Sequence, residues 1–118
     1  MSEVNYKSGL KVLITKEGEN SSPIVQKGTM VTADYIGYLE DGKVFSSSEK
    51  NGQVFQFKHG MGNVIPAWDE AFQGKKSGSE FTIITPPELA YGNTGSPDGS
   101  IPPDSILIFE IKLRGVQE

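Results

Sequence analysis

Cysteine is absent from the 118 residues. This excludes disulfides, thiolate nucleophiles and Cys-based zinc or iron–sulfur sites, and leaves packing to hold the fold together. Histidine occurs once, at His59, so a Ser/His/Asp triad would have to rest on that residue, and no nucleophile-elbow pattern accompanies it. One histidine among dispersed carboxylates offers no metal-ligand spacing either, so neither a metal nor any other cofactor is expected. His59, in Lys58-His59-Gly60, is expected to be a solvated loop residue. Positive charge is in deficit, with 11 Lys and Arg against 15 Asp and Glu and a net charge of -4. The cations are scattered, so no field draws in a phosphate backbone, and nucleic acid is not an expected partner. No stretch approaches 18 apolar residues, and Met1 to Ser8 lacks the apolar run of a signal peptide. The expectation is therefore a soluble, cytoplasmic chain with no membrane partner. A glycosylation pattern at Asn20-Ser21-Ser22 has meaning only in a secreted chain.

What is present reads as one domain over residues 1–118, with 36% hydrophobic residues, 14 Gly and 7 Pro. Leu10 to Ile14 is a strand candidate, followed by a polar loop from Lys16 to Ser22 that ends at Pro23. Met30 to Leu39 alternates, with Val31, Ala33, Tyr35, Gly37 and Leu39 on one face. Glu40-Asp41-Gly42-Lys43 is a turn leading to Val44-Phe45, and Gln53 to Phe57 alternates again. Pro66 to Gln73 is the one helix, with Pro in its first turn, Asp69 and Glu70 near its positive end and Gly74 as its stop. Phe81 to Ile84 and Ser105 to Arg114 complete the strands, the latter with Leu107, Phe109, Ile111 and Leu113 inward. Several antiparallel strands with one short helix make an α+β domain in which the helix covers one face of a sheet. Between the last two strands, Tyr91 to Asp104 is rich in Gly, Pro, Ser and Asn, a length of loop often tied to function.

Two chemical motifs dissolve on inspection. Gly60-Met61-Gly62-Asn63-Val64-Ile65 begins like a dinucleotide fingerprint, but its third glycine is Ile65 and no βαβ unit follows. The adjacent carboxylates Glu40-Asp41 and Asp69-Glu70 point apart on a turn or a helix, so they read as solvated surface and dipole partners. What remains is a surplus of aromatic and branched residues beside loops: Tyr35, Phe45, Phe55, Val64, Ile65, Trp68, Tyr91, Ile101 and Phe109. Any one of them alone would pass for core.

Their order makes them specific. Tyr35-Ile36-Gly37-Tyr38-Leu39-Glu40-Asp41-Gly42-Lys43-Val44-Phe45-Ser46-Ser47-Ser48 is followed by Val64-Ile65-Pro66-Ala67-Trp68. Then come Ala90-Tyr91-Gly92, Ile101-Pro102-Pro103 and Leu107-Ile108-Phe109-Glu110. This series resembles the motifs of the FKBP-type peptidyl-prolyl isomerases, in register over a motif-bearing core of about 28–113. The resemblance implies an antiparallel five- to six-stranded sheet wrapped around the short helix, with a proline pocket between them. It places Trp68 at the pocket floor, Tyr35, Phe45 and Phe109 on its walls, and Phe55, Val64 and Ile65 at its rim and side. Tyr91 and Ile101 close it from the long loop, with Tyr91 offering its hydroxyl and Ile65 its backbone N–H to a carbonyl. On this pattern Tyr35, Phe45, Trp68, Tyr91 and Phe109 are the catalytic group, while Ser46, Phe55, Val64, Ile65 and Ile101 bind substrate or ligand. The implied partners are proline-containing peptides, unfolded proteins and macrolides of the tacrolimus and rapamycin type, met by a monomer. Two departures stand out. Ser46 occupies the place of the usual Asp, a pocket-facing group that helps bind macrolides; and the 92–101 loop is one residue longer than the common form, with Ser96 in place of a frequent His.

The chemistry suits such a pocket. Rotation about X–Pro must break amide resonance, a barrier of about 18–20 kcal/mol, yet no bond is made or cleaved. The planar amide is polar and well solvated while the twisted one has lost its charge separation, so a dry apolar site favours the twist. Ring edges, which are positive, suit the rotating carbonyl oxygen. The alternative from another class is a non-catalytic module that keeps the fold and binds a proline-containing partner protein, favoured by Ser46.

Overall fold

The computed structural model describes residues 2–18, 23–49, 52–62 and 64–117. Among these residues seven strands form one antiparallel sheet: β1 (Ser2–Asn5), β2 (Lys11–Lys16), β3 (Met30–Leu39), β4 (Val44–Ser47), β5 (Phe55–Lys58), β6 (Glu80–Thr85) and β7 (Leu107–Gln117). A single α-helix, α1 (Pro66–Phe72), and one 3-10 turn, Pro87–Leu89, complete the elements among the described residues. The strand order is β1-β2-β6-β7-β3-β4, and β5 pairs with β3 beyond the end of β4. The glycosylation pattern at 20–22 and part of the polar loop before Pro23 lie outside the described residues.

The sheet holds one or two strands more than the five or six expected. β1 pairs with β2 through Ser2↔Ile14 to Asn5↔Lys11, yet Ser-Glu-Val-Asn carries neither alternation nor a β-branched run. Backbone pairing to an edge forms it without a sequence signal.

The pairing of β3 with β7 runs from Met30↔Gln117 to Leu39↔Leu107 and is the spine of the fold. On its other edge β3 pairs with β4 along Ile36 to Tyr38 and with β5 along Met30 to Ala33. Both neighbours thus bring an aromatic residue to the face that carries Tyr35. In the gap between them, the Tyr35 N–H donates to Ser48 Oγ at 3.0 Å and the Ser48 N–H to the Tyr35 carbonyl at 3.0 Å.

Alternation explains the core. Val31 and Ala33 of β3, Phe81, Ile83 and Thr85 of β6, and Leu107, Phe109, Ile111 and Leu113 of β7 are buried, while Glu110, Lys112 and Arg114 are exposed. Against this face lies α1, with Ala67, Trp68, Ala71 and Phe72 buried. It starts on Pro66, whose missing N–H costs nothing in a first turn. It ends one residue earlier than expected, because Gln73 leaves helical geometry with ψ 125° and Gly74 follows at φ 78°.

Candidate functional site

The inner face of the sheet, α1 and the long 91–104 loop enclose a cavity of about 740 Å³, within the range of small-ligand sites. All ten residues singled out by sequence line it: Tyr35, Phe45, Ser46, Phe55, Val64, Ile65, Trp68, Tyr91, Ile101 and Phe109.

Trp68 organises the cavity. The residue is 4% exposed, and three rings stand nearly perpendicular to its indole: Tyr35 at 5.3 Å and 80°, Phe55 at 5.5 Å and 87°, and Phe109 at 5.4 Å and 88° between centroids and planes. Phe45 meets Phe109 edge to face at 5.7 Å and 83°. Such contacts each add about 0.5–1.5 kcal/mol beyond area burial, so the rings fix one another and the box is formed in advance of any ligand. Behind it, Phe57 and Phe72 pack on Trp68 at 5.7 and 5.2 Å and join the box to the core.

Gly37 carries a close approach that the sequence did not announce. A Cβ there would lie 2.7 Å from Phe45 Cζ and 3.1 Å from Phe109 Cε1. Two walls of the box therefore rest against the bare backbone of β3.

The polar groups are few. Tyr35 Oη and Ser46 Oγ lie 2.7 Å apart, so Ser46 takes a partner on the wall that the resemblance assigns to an Asp. Ser96, Pro97, Asp98 and Ser100 form the lip, four positions in the stretch where the loop carries its extra residue. Asp98 Oδ1 accepts from Ser96 Oγ at 2.7 Å, from the Ser100 N–H at 3.0 Å and from Ser100 Oγ at 2.8 Å. These bonds, that of Ser96 foremost, hold its carboxyl down at about 2. The signal that could have revealed this turn is the Ser-Pro-Asp-Gly-Ser run itself, with Asp two residues from a serine on either side.

His59 is corrected from a solvated loop residue to a buried one, 2% exposed. Its ring sits between the end of β5 and the end of α1, with Nε2 2.9 Å from Gln73 Oε1. Its backbone pairs with the Gln26–Thr29 turn through Gly28 and Thr29, which draws the side chain inward. Asp69 likewise does more than face solvent or complement the helix dipole. Its carboxylate accepts the Gly60 N–H at 2.9 Å and the Gly62 N–H at 3.3 Å, and so ties the segment leading to Val64 and Ile65 onto the helix that carries Trp68. The near-fingerprint of glycines is this turn, with Gly60 and Gly62 at φ 77° and 74°.

A second depression of similar size, about 760 Å³, lies along Asp34, Glu80, Glu110, Lys112 and Arg114. Its side chains are charged and partly paired, as in Arg114 Nε to Asp34 Oδ2 at 2.6 Å, and it holds no aromatic box. Among the described residues no group of His, Asp and Glu is placed to hold a metal ion, and no helix is long and apolar enough to cross a membrane.

Comparison with known proteins agrees with this geometry. The profile of the family described as FKBP-type peptidyl-prolyl cis-trans isomerase matches residues 22–114. FK506-binding protein 1 of Dictyostelium discoideum is 42% identical over 105 residues, covering 89% of this chain and 95% of that protein. FK506-binding protein 4 of Aspergillus fumigatus is 45% identical over 109 residues, but the chain spans only 21% of its length. Among solved structures, that of AtFKBP13 superposes with a TM-score of 0.88 at 36% identity, covering 98% of each chain.

Proposed function

The chain belongs to the FKBP-type peptidyl-prolyl cis-trans isomerase family, and we propose that the aromatic cavity is where it holds and turns the X–Pro bond of a peptide or unfolded protein. One observation carries this reading. The ten residues, drawn from β3, β4, β5, α1, the loops and β7, converge on a single apolar box whose floor is Trp68.

In this reading the pyrrolidine ring lies on the Trp68 indole, between the edges of Tyr35, Phe55 and Phe109. Water is displaced from the planar, polar amide, which raises its free energy relative to the twisted form that has lost its charge separation. Ring edges face the rotating carbonyl oxygen. The Tyr91 hydroxyl and the Ile65 N–H hold the neighbouring substrate carbonyls, so that one end of the peptide is fixed while the other turns. A 10⁵-fold acceleration needs about 7 kcal/mol of such differential stabilisation, and no proton transfer or covalent step takes part.

The residue before proline meets Phe45, Phe55 and Ile101, which favours an apolar side chain there. Macrolides of the tacrolimus and rapamycin type fit the same box, with Ser46 supplying a neutral group on its wall. A role in protein folding, as a monomer in the cytoplasm, belongs to the same proposal; a cysteine-free chain with a net charge of -4 suits that setting.

Exchange NMR on a short Leu-Pro peptide tests the activity. The expected result is cis/trans exchange faster than in buffer, and loss of the gain when Phe45→Ala, Tyr91→Ala and Phe109→Ala are combined. Binding of the peptide with no gain in exchange supports the non-catalytic module instead.

A further inference from the structure

The lip of the cavity carries its charge. Among the described residues lining the box, Asp98 is the only one that is charged at neutral pH; no described Lys, Arg or His joins it, and the wall position next to Phe45 is the neutral Ser46. The charge is also held in place. Three hydrogen bonds from Ser96 and Ser100 reach Asp98 Oδ1, and Ser96 Oγ in turn accepts the Ile101 N–H at 3.0 Å. Ile101 is 4% exposed, so this chain of bonds fastens the carboxylate to a buried wall residue. Asp98 itself is exposed, and its Oδ2 takes none of the three bonds.

We propose that Asp98 is a specificity-determining residue, which makes the protein favour X–Pro bonds preceded by Lys or Arg over those preceded by Asp or Glu. The inference rests on the isomerase reading and on the place given there to the residue before proline, beside Phe45 and Ile101. A lysine at that position lays its methylene stem along the two apolar side chains and brings its ammonium to the lip, as long cationic side chains do at apolar surfaces. A glutamate places a second negative charge beside a fixed one. With no cation among the described lining residues and no acid on the wall, none of those residues offsets the preference. A turn with this many bonds gives the charge a defined position, which a mobile surface acid lacks.

Exchange NMR on three peptides that differ only in the residue before proline, Leu, Lys or Glu, tests it. For two opposite charges near a fixed carboxylate in a largely aqueous setting, Coulomb attraction and repulsion together give the Lys-Pro peptide about a three- to tenfold advantage in kcat/KM over Glu-Pro at low salt. The ratio should fall toward one in 1 M salt, where the screening length is about 3 Å. Asp98→Asn should bring the ratio close to one at low salt, whatever its effect on absolute rates. Glu3→Gln, the same charge change on β1 away from the cavity, should leave the ratio as it is. Equal kcat/KM for the Lys and Glu peptides, or a Lys preference that survives Asp98→Asn, overturns the inference while leaving isomerase activity standing. Failure to accelerate the Leu peptide overturns the isomerase reading, and this one with it.

Discussion

Tyr35 Oη lies 2.7 Å from Ser46 Oγ, joining β3 to β4 on the wall of the aromatic box. Two neutral hydroxyls meet where the resemblance leads one to expect a carboxylate. The pair holds the Tyr35 ring against Trp68 without charge, so the wall stays inexpensive to desolvate. Ser46→Ala removes this hydrogen bond and should cost about 1 kcal/mol of stability. Ser46→Asp replaces it with a charge-assisted bond of about twice the strength. Tacrolimus affinity, measured by calorimetry, should rise about tenfold in Ser46→Asp, which corresponds to about 1.4 kcal/mol; an unchanged affinity would show that the wall hydroxyl already serves the ligand as well as an acid does.

Gly37→Ala should damage both the site and the fold. Its Cβ would meet Phe45 Cζ at 2.7 Å, closer than such atoms approach, and Phe109 Cε1 at a tight 3.1 Å, and the half-buried Phe45 ring is the one that can yield. We expect kcat/KM to fall by about tenfold or more, with an overpacking cost of about 1–3 kcal/mol. Denaturant unfolding and exchange NMR on the same sample separate the two effects; full activity would mean that the Phe45 ring does not wall the productive site.

Asp69→Ala releases the Gly60 and Gly62 N–H groups from the helix and should destabilise by about 1–3 kcal/mol, read as a lower denaturant midpoint at constant m. Since Val64 and Ile65 follow that segment, KM for a Leu-Pro peptide should rise as well. Asp69→Asn keeps an acceptor oxygen and should recover part of both losses. Equal loss in the two variants would argue that the charge, and not the acceptor geometry, holds the segment.

The Asp98 carboxyl is held at about 2, below its ordinary value of 3.8, by hydroxyl and N–H donors from Ser96 and Ser100. Because the folded value is the lower one, the turn's contribution to stability is fully present above about pH 4 and is lost as pH falls toward 2. A carboxyl ¹³C titration should therefore give a midpoint for Asp98 near 2. A midpoint near 3.8 would mean that the lip turn does not form in solution.

Much of this was legible in the sequence. The β3–β4 hairpin, the helix and β7 announce themselves because alternation, a Gly turn at 42 and a Pro start at 66 are local signals. Nine of the ten pocket residues were found as members of a motif series, with Phe55 outside it, and the structure shows why they belong together: β3, β4, β5, α1, β7 and the loops bring them to line one cavity. What escaped depended on distant partners. β1 exists through backbone pairing to β2. His59 is buried because its backbone binds the turn at Gln26–Thr29 and its ring meets Gln73. Gly37 matters through rings that arrive from β4 and β7, and Asp69 through a loop that folds back onto it. None of these contacts has a period or a motif.

The central claim is that the cavity turns the X–Pro bond by desolvation and ring contacts, without acid–base chemistry. Its most direct test is the catalysed cis/trans exchange rate of a Leu-Pro peptide measured by NMR from about pH 5 to pH 9. The account predicts a flat profile over that range, since proton transfer contributes nothing to the rate, and no solvent deuterium effect beyond that on the uncatalysed exchange. A bell-shaped profile, or a marked deuterium effect on the catalysed rate, would contradict it and point to a general acid or base at work in the box.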